Sequence, residues 1–346
     1  MFIQPDNLSL KQIADAVQRL SDFYIQHPKS STPWSESYCQ IAYRYYFLPL
    51  NFERVRQVIN RGLQVDFFKG LKTFIDWGAG PGTASFALSQ NSQLKTQISQ
   101  QILIDRLTKP FQVFADLHSH LIRPQHLSTL KNIEPSQFNF NFKANESALV
   151  MSYALTEVTE LPQGWQNYEA LILLEPATSE DGRKLLEIRK KLIADGYFIW
   201  APCIHQKACP LLEKSKTDWC HDRFHVEAPD WFTQLEDLLP MKNKTITTSY
   251  LLARRTAPTF KLINSPDGQN LLGRLTGDSR DEKGKTRQMI CRQNEREFLT
   301  WMHKNVEPQT FSRGDLVCIS PNHEAKSNEI RLKDDQSSIL DSRITS

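Results

Sequence analysis

The sequence predicts an α/β protein in which a largely parallel sheet, covered by helices on both faces, follows a helical N-terminal region and precedes a small Cys-rich and β-containing C-terminal part. Three observations predict it. Short apolar runs recur from Thr73 onward, polar stretches of helical periodicity separate them, and three alternating glycines follow the first run directly.

Residues 1–68 read as a helical region. Ser9 followed three places later by Gln12 resembles a capping box, and Ile13, Val17, Leu20 and Tyr24 then recur at helical spacing. The aromatics Tyr43, Tyr45, Tyr46 and Phe47 precede Pro49, and Phe52, Val55, Val58 and Ile59 follow it, which predicts two more short helices within 38–64. Strands are expected at 73–77, 100–105, 138–143, 147–152, 169–174, 196–201 and 247–253, in a domain spanning 69–256. Between the fifth and sixth, Leu185, Ile188 and Leu192 mark the buried face of a helix over 180–195 that stops near Gly196. Its Arg183, Lys184, Lys190 and Lys191 are expected on the solvated side. A small β region is expected over 257–322, with pieces near 259–263, 287–291 and 315–319. Residues 323–346 are almost wholly polar and charged, and a disordered tail is expected there.

The charge balance, Lys+Arg 42 against Asp+Glu 39 in 346 residues, is compatible with a nucleic-acid partner without demanding one. No apolar run has the length of a bilayer-spanning helix, and the start carries Asp6, Lys11 and Asp15 where a signal peptide would be apolar. A soluble cytoplasmic protein with no membrane partner is therefore expected. In a reducing compartment, clustered thiols bind metal more often than they form disulfides, so the six cysteines are informative.

The segment FIDWGAGPGTA at 74–84 sets Gly78, Gly80 and Gly82 between a strand and a helix, where missing side chains let a ligand approach the backbone. A dinucleotide fingerprint wants its third glycine three places after the second, where this chain has Thr83. The acid-x-Gly-x-Gly-x-Gly turn of S-adenosylmethionine enzymes, headed here by Asp76, fits better, which makes the sheet a Rossmann-like, class I methyltransferase type. Asp105 ends the next strand and can accept both hydrogen bonds of a ribose diol. Asn145, Ser152 and Tyr153 fall where the adenine and the methyl-donor end would lie; the other reading is that they are ordinary polar loop residues.

Cys203, Cys209 and Cys220 lie close together after the sixth strand, in an insertion at 203–221. A fourth ligand for tetrahedral zinc or an iron–sulfur cluster could be His205, His221, Cys291 or Cys318, and Cys291 is preferred. Their spacing also allows three unrelated thiols. A catalytic cysteine nucleophile is a further alternative, but its Pro-Cys pair belongs at the fourth strand, where Met151, Ser152 and Tyr153 stand. Cys39, beside Tyr38 and Ile41, is ordinary packing.

Taken together, IDWGAGPGT at 75–83, SYALTE at 152–157, Glu175-Pro176, Ala201-Pro202-Cys203, Cys209-Pro210-Leu211 and Asp218-Trp219-Cys220-His221 resemble the Rsm-type ribosomal small-subunit methyltransferase-like family, known from mitochondrial ribosome assembly and from bacteria. The resemblance spans roughly 38–291. It implies S-adenosylmethionine at Asp76, Gly78, Gly80, Gly82 and Asp105, with Thr83 at the end of the same turn. It also implies a 4Fe–4S cluster on Cys203, Cys209, Cys220 and Cys291, ahead of zinc, and the ribosomal small subunit or its RNA as partner. The chain departs from the family in having Ala177 after Glu175-Pro176, and Asp222 where a Phe usually follows the Cys-His pair.

The leading expectation is methyl transfer to small-subunit RNA or a ribosomal protein, with Tyr153 and Glu175 as candidates for orienting the acceptor. The alternative is a non-catalytic assembly or translation factor that uses the fold as an RNA-binding scaffold. A nicotinamide-dependent oxidoreductase is a third reading, disfavoured by the glycine spacing.

Overall fold

The computed structural model describes residues 2–5, 7–27, 30–128, 143–158, 160–241, 245–258 and 271–341. The chain forms two compact units, one of Met1–Leu63, Phe68–Glu175 and Val226–Ile246, the other of Gln64–Phe67, Pro176–His225 and Thr247–Ser346.

In the first unit the expected capping box opens α1 (Leu10–Gln26): the Gln12 N–H donates to Ser9 Oγ, and the Ser9 N–H donates to Gln12 Oε1 at 2.9 Å. Ile13, Val17 and Leu20 are buried as their spacing predicts. Helix α2 (Ser37–Ala42) runs through a π turn at Tyr43–Phe47 into α3 (Leu48–Gln64), so one helical run replaces the expected pair. Pro49 does not break it, because proline is tolerated where a wide turn has already disturbed the regular hydrogen-bond ladder. The helix Asp230–Asp237 brings Phe232 against Phe2, ring centroids 4.7 Å apart, and stacks it on Tyr46 at 5.5 Å.

The same unit holds β1 (Thr73–Trp77), α4 (Thr83–Gln90), α5 (Ser92–Gln97), β2 (Gln100–Asp105), α6 (Lys109–Val113), α7 (Ala115–His118), β3 (Pro124–Ser128), β4 (Ser147–Ser152) and β5 (Ala170–Glu175). The five strands are parallel, in the order β3-β2-β1-β4-β5, with Ile75 opposite both Ile102 and Leu149. Order reverses between β1 and β4, and beyond the carboxyl ends of strands at such a switch the fold leaves a crevice. The strand beside β2 is Pro124–Ser128 and not 138–143, of which 138–142 lie outside the described residues. As a partly exposed outer neighbour of β2, β3 needs no apolar run, so periodicity did not reveal it.

In the second unit Thr178 caps α8 (Ser179–Ala194), its Oγ accepting the Asp181 N–H at 3.1 Å, and Leu185, Ile188 and Leu192 are buried as expected. There follow β6 (Phe198–Ala201), α9 (Pro210–Glu213), β7 (Asp222–His225) and β8 (Thr245–Arg254), with β6 antiparallel to β8. A separate sheet comprises β9 (Leu271–Leu275), β10 (Arg280–Glu282), β11 (Lys285–Cys291), β12 (Glu297–Met302), β13 (Leu316–Ile319), β14 (His323–Lys326), β15 (Glu329–Leu332) and β16 (Ser338–Asp341). Its order is β14-β15-β12-β11-β9-β13-β16, with β10 on β11, over a core that includes Leu275, Ile290, Trp301, Val317 and Leu332.

The expected β pieces at 287–291 and 315–319 correspond to β11 and β13; that at 259–263 lies outside the described residues. The disordered tail is corrected over 323–341, which carries three strands; 342–346 lie outside the described residues. The apolar residues that turn inward on β15 are Ile330 and Leu332, two places apart, and so thin an alternation is hidden in a charged sequence. Among the described residues no helix is long and apolar enough to cross a membrane.

Candidate functional site

The turn after β1 is built on glycine for steric reasons. Gly78, Gly80 and Gly82 have φ of 71°, 52° and 78°, the left-handed region that side chains disfavour. A Cβ on Gly78 would stand 2.7 Å from that of Ala154, and one on Gly82 would meet Leu103 at 2.9 Å and His118 at 3.0 Å. The Gly78 and Ala79 N–H groups donate to the Ile104 carbonyl, tying the turn to β2.

Two aspartates hold the turn. Asp76 is 1% exposed, and its Oδ2 accepts both the N–H and the hydroxyl of Ser85 in α4. Burial pushes its carboxyl up to about 6. Asp105 accepts the Gly80 N–H on Oδ2 at 2.8 Å and the Leu107 N–H on Oδ1 at 2.9 Å, so each oxygen keeps a free lone pair.

Sequence reasoning missed a brace behind the turn. His118 Nε2 lies 3.0 Å from the Pro81 carbonyl, which can only accept, so Nε2 carries the proton. His118 Nδ1 then accepts from His126 Nε2 at 2.9 Å. Burial lowers the pKa of both rings, which keeps them neutral and the bond pattern intact.

A cavity of about 300 Å³ opens at the strand ends. Of the expected residues, Asp76, Gly78, Gly80, Thr83, Asp105, Ser152 and Tyr153 line it; Gly82, turned toward Leu103 and His118, does not. Tyr153 follows β4 with φ of 60°, an uncommon backbone state outside glycine that recurs at functional sites. Asn145 is corrected: it sits in the turn before β4, at the amino end of the strand, whereas the cavity lies at the carboxyl end. Glu175 is also off the wall, and its Oε1 accepts the Leu155 N–H at 2.9 Å, bracing the segment that carries Tyr153.

The N-terminal region supplies the facing wall, with Ser31, Thr32, Trp34, Tyr43 and Asn51. Arg106 ties it down, donating to Ser31 Oγ at 2.6 Å and to Glu157 at 2.7 Å. No strand-end motif points to this wall, because its residues become neighbours only through the fold.

In the second unit Cys203, Cys209, Cys220 and Cys291 are gathered into one region, where Cys203, Cys209 and Cys220 all act electrostatically on Cys291. Cys209 and Cys220 pack against Leu186, Leu211, Met289 and Phe298. Burial raises the thiol pKa of Cys209, Cys220 and Cys291. Cys291 Sγ is 3.3 Å from His205 Nε2, while Cys318 lies on β13. Among the described residues no three or more His, Cys, Asp or Glu side chains are gathered closely enough to hold one metal ion.

The loop bearing three of these cysteines is held by side-chain donors. Arg183 donates to the carbonyls of Leu211, Ser215 and Asp218, so the expectation that it merely faces solvent is corrected. Arg313 reaches the carbonyls of Trp219 and His221, and Ser249 reaches that of Cys220. Gly182 leaves room for Trp219, whose Cδ1 would lie 2.5 Å from a Cβ there. Asp222 is fully buried, ion-paired with Arg274 and hydrogen-bonded by Tyr250, which offsets the cost of burying a carboxylate there.

No curated protein matches the sequence. Among solved structures, the protein PH1948 of Pyrococcus horikoshii is 15% identical, with 70% of this chain and 97% of that one covered and a TM-score of 0.33. M. capricolum TrmK, solved with S-adenosyl-homocysteine, is 10% identical over 57% and 71% of the chains, at 0.33. A precorrin-6y C5,15-methyltransferase of Geobacter metallireducens is 10% identical over 56% and 86%, at 0.34. The α/β assignment itself rests on the observed strand order. Residues 37–305, well over half of the chain, match one family throughout, and the protein therefore belongs to the family described as mitochondrial small ribosomal subunit Rsm22.

Proposed function

We propose that the strand-end cavity binds S-adenosylmethionine and that the protein is a methyltransferase-like protein of the ribosomal small subunit, acting on its RNA or on one of its proteins. The observation that carries this reading is that the glycine turn and Asp105 share one cavity at the point where strand order reverses. Gly78 and Gly80 admit a ligand to the backbone, and the spare lone pairs of Asp105 suit a ribose diol. Ser152 and Tyr153 at the end of β4 would face the reacting end. The donor supplies a methyl group on a positively charged sulfur; the chain's task is alignment and exclusion of water.

Calorimetry tests it. S-adenosylmethionine and S-adenosyl-homocysteine should bind the wild type and fail to bind Gly80→Arg, whose side chain would enter the cavity. Binding of NADH with no binding of either nucleoside would overturn the reading in favour of an oxidoreductase. RNA crosslinked in cells should map to the small subunit.

One observation favours the second reading, a non-catalytic assembly factor. Each carboxylate on the cavity wall already holds protein donors: Asp76 holds Ser85, Asp105 holds Gly80 and Leu107, and Glu157 holds Arg106. Normal subunit assembly in cells carrying Gly80→Arg would support the scaffold.

For the second unit we propose a 4Fe–4S cluster on Cys203, Cys209, Cys220 and Cys291. A four-thiol set on largely apolar surroundings suits it, and a cubane takes one thiolate on each of four irons and so does not need all four sulfurs on a single ion. Iron, sulfide and zinc analysis of anaerobically purified protein separates cluster from zinc. Cys203→Ser should lose the centre and lower stability.

A further inference from the structure

Arg189, on α8, is 2% exposed. Its Nε–H donates to Cys203 Sγ at 3.1 Å, and its Nη2 donates to the carbonyls of His205 and Lys207, both at 2.9 Å. The thiols that act on it electrostatically are Cys203, Cys209 and Cys291, and among the described residues no carboxylate lies within ion-pair distance of it.

A guanidinium does not lose its proton in a protein, and burying its charge without a counter-charge is strongly unfavourable. Two carbonyls satisfy hydrogen bonds but carry no net charge. The buried arginines nearby differ in this respect: Arg274 has Asp222, and Arg313 has Asp218 and Asp278 within electrostatic reach. The acidic groups that act on Arg189 are thiols, with Cys203 Sγ in direct contact.

Resting on the cluster reading above, we infer that Arg189 is the counter-cation and positioning residue of an anionic thiolate-bound centre, and that its N–H···S bond falls on the ligand sulfur of Cys203. Four thiolates outweigh the positive core of a 4Fe–4S cluster, so the loaded centre is a net anion and Arg189 offsets it. The two carbonyl bonds fix the chain between Cys203 and Cys209. A donor on a ligand sulfur also stabilises the reduced state, because added electron density on sulfur strengthens the bond.

The test uses the full chain, reconstituted anaerobically with iron and sulfide, and two variants. Arg189→Gln removes the charge and should retain less than about half of the wild-type iron and sulfide. Arg189→Lys keeps the charge and loses the guanidinium geometry: it should load iron close to wild type. Its oxidised-to-reduced ratio at a fixed applied potential should rise about threefold or more, as expected when a hydrogen bond to a ligand sulfur is lost. Circular dichroism before reconstitution separates misfolding from poor loading, and the lysine variant keeps the test decisive if the glutamine variant does not fold. If the wild type holds iron and both variants match it in content and potential, Arg189 has no such role while the cluster stands. A wild type that takes up no metal removes the cluster reading and this inference together.

Discussion

The glycine turn of the first unit and the cysteine loop of the second treat their backbones in opposite ways. At 78–82 side chains are withdrawn, so the main chain itself forms part of a cavity wall. At 203–221 side chains are brought in, and guanidinium groups from α8 and from Arg313 occupy the loop's carbonyls. The first arrangement leaves an open cavity against the main chain. The second uses the protein's own donors to fix the loop on which three sulfurs stand.

The contrast is broken most severely at Gly78. Gly78→Val should destabilise the first unit by more than about 3 kcal/mol and abolish nucleoside binding, since it places a branched side chain at positive φ against Ala154. Denaturant unfolding measures this, and Ala154→Gly in the same chain should recover part of the loss.

Asp76 gives the next largest effect, through pH. Its folded value of about 6 lies above the 3.8 of a free carboxyl, so the folded chain keeps an extra proton between the two. That contribution is fully present below about pH 4 and is lost as pH rises through about 6. Asp76→Asn should therefore match the parent near pH 4 and exceed it at pH 8 by up to about 3 kcal/mol. An asparagine variant less stable at pH 8 would show that the charged form is held by donors better than burial penalises it.

In the cysteine loop, Arg183→Ala leaves three carbonyls to water and should cost about 1–2 kcal/mol. Thermal unfolding with and without reconstituted iron would show whether the loop or the centre bears the cost. The smallest effect is remote from both regions: Ser9→Ala removes the cap of α1 and should cost about 1 kcal/mol, with ligand binding unchanged.

Much of the first region was legible because its chemistry is local. Strand, glycines and Asp105 lie within about thirty consecutive residues, and the glycine spacing departs from a dinucleotide fingerprint. The opposite wall of the same cavity was not legible, since Trp34 and Asn51 reach it only once α2 and α3 are folded against the sheet. The strand at 124–128 and those at 323–341 were missed for a shared reason: lightly covered strands carry too few apolar residues for their alternation to stand out. In the second region the closeness of Cys203, Cys209 and Cys220 in sequence pointed to three of the thiols, and the fourth, Cys291, was preferred from four candidates that spacing alone does not separate. Arg183 was misread because a basic residue on a helix looks the same in sequence whether it meets water or a ring of carbonyls.

The π turn at Tyr43–Phe47 carries a consequence for how this chain can vary. Widening by one residue swings everything downstream by about 100° around the helix axis, and Asn51 reaches the cavity wall from just beyond it. Were the same residues to form an unbroken ladder, Asn51 would rotate away from the cavity, whereas deleting one residue would restore that ladder and leave Asn51 facing it. The turn thus absorbs one residue, and the chain length here can change by one without moving the part of the wall that Asn51 supplies.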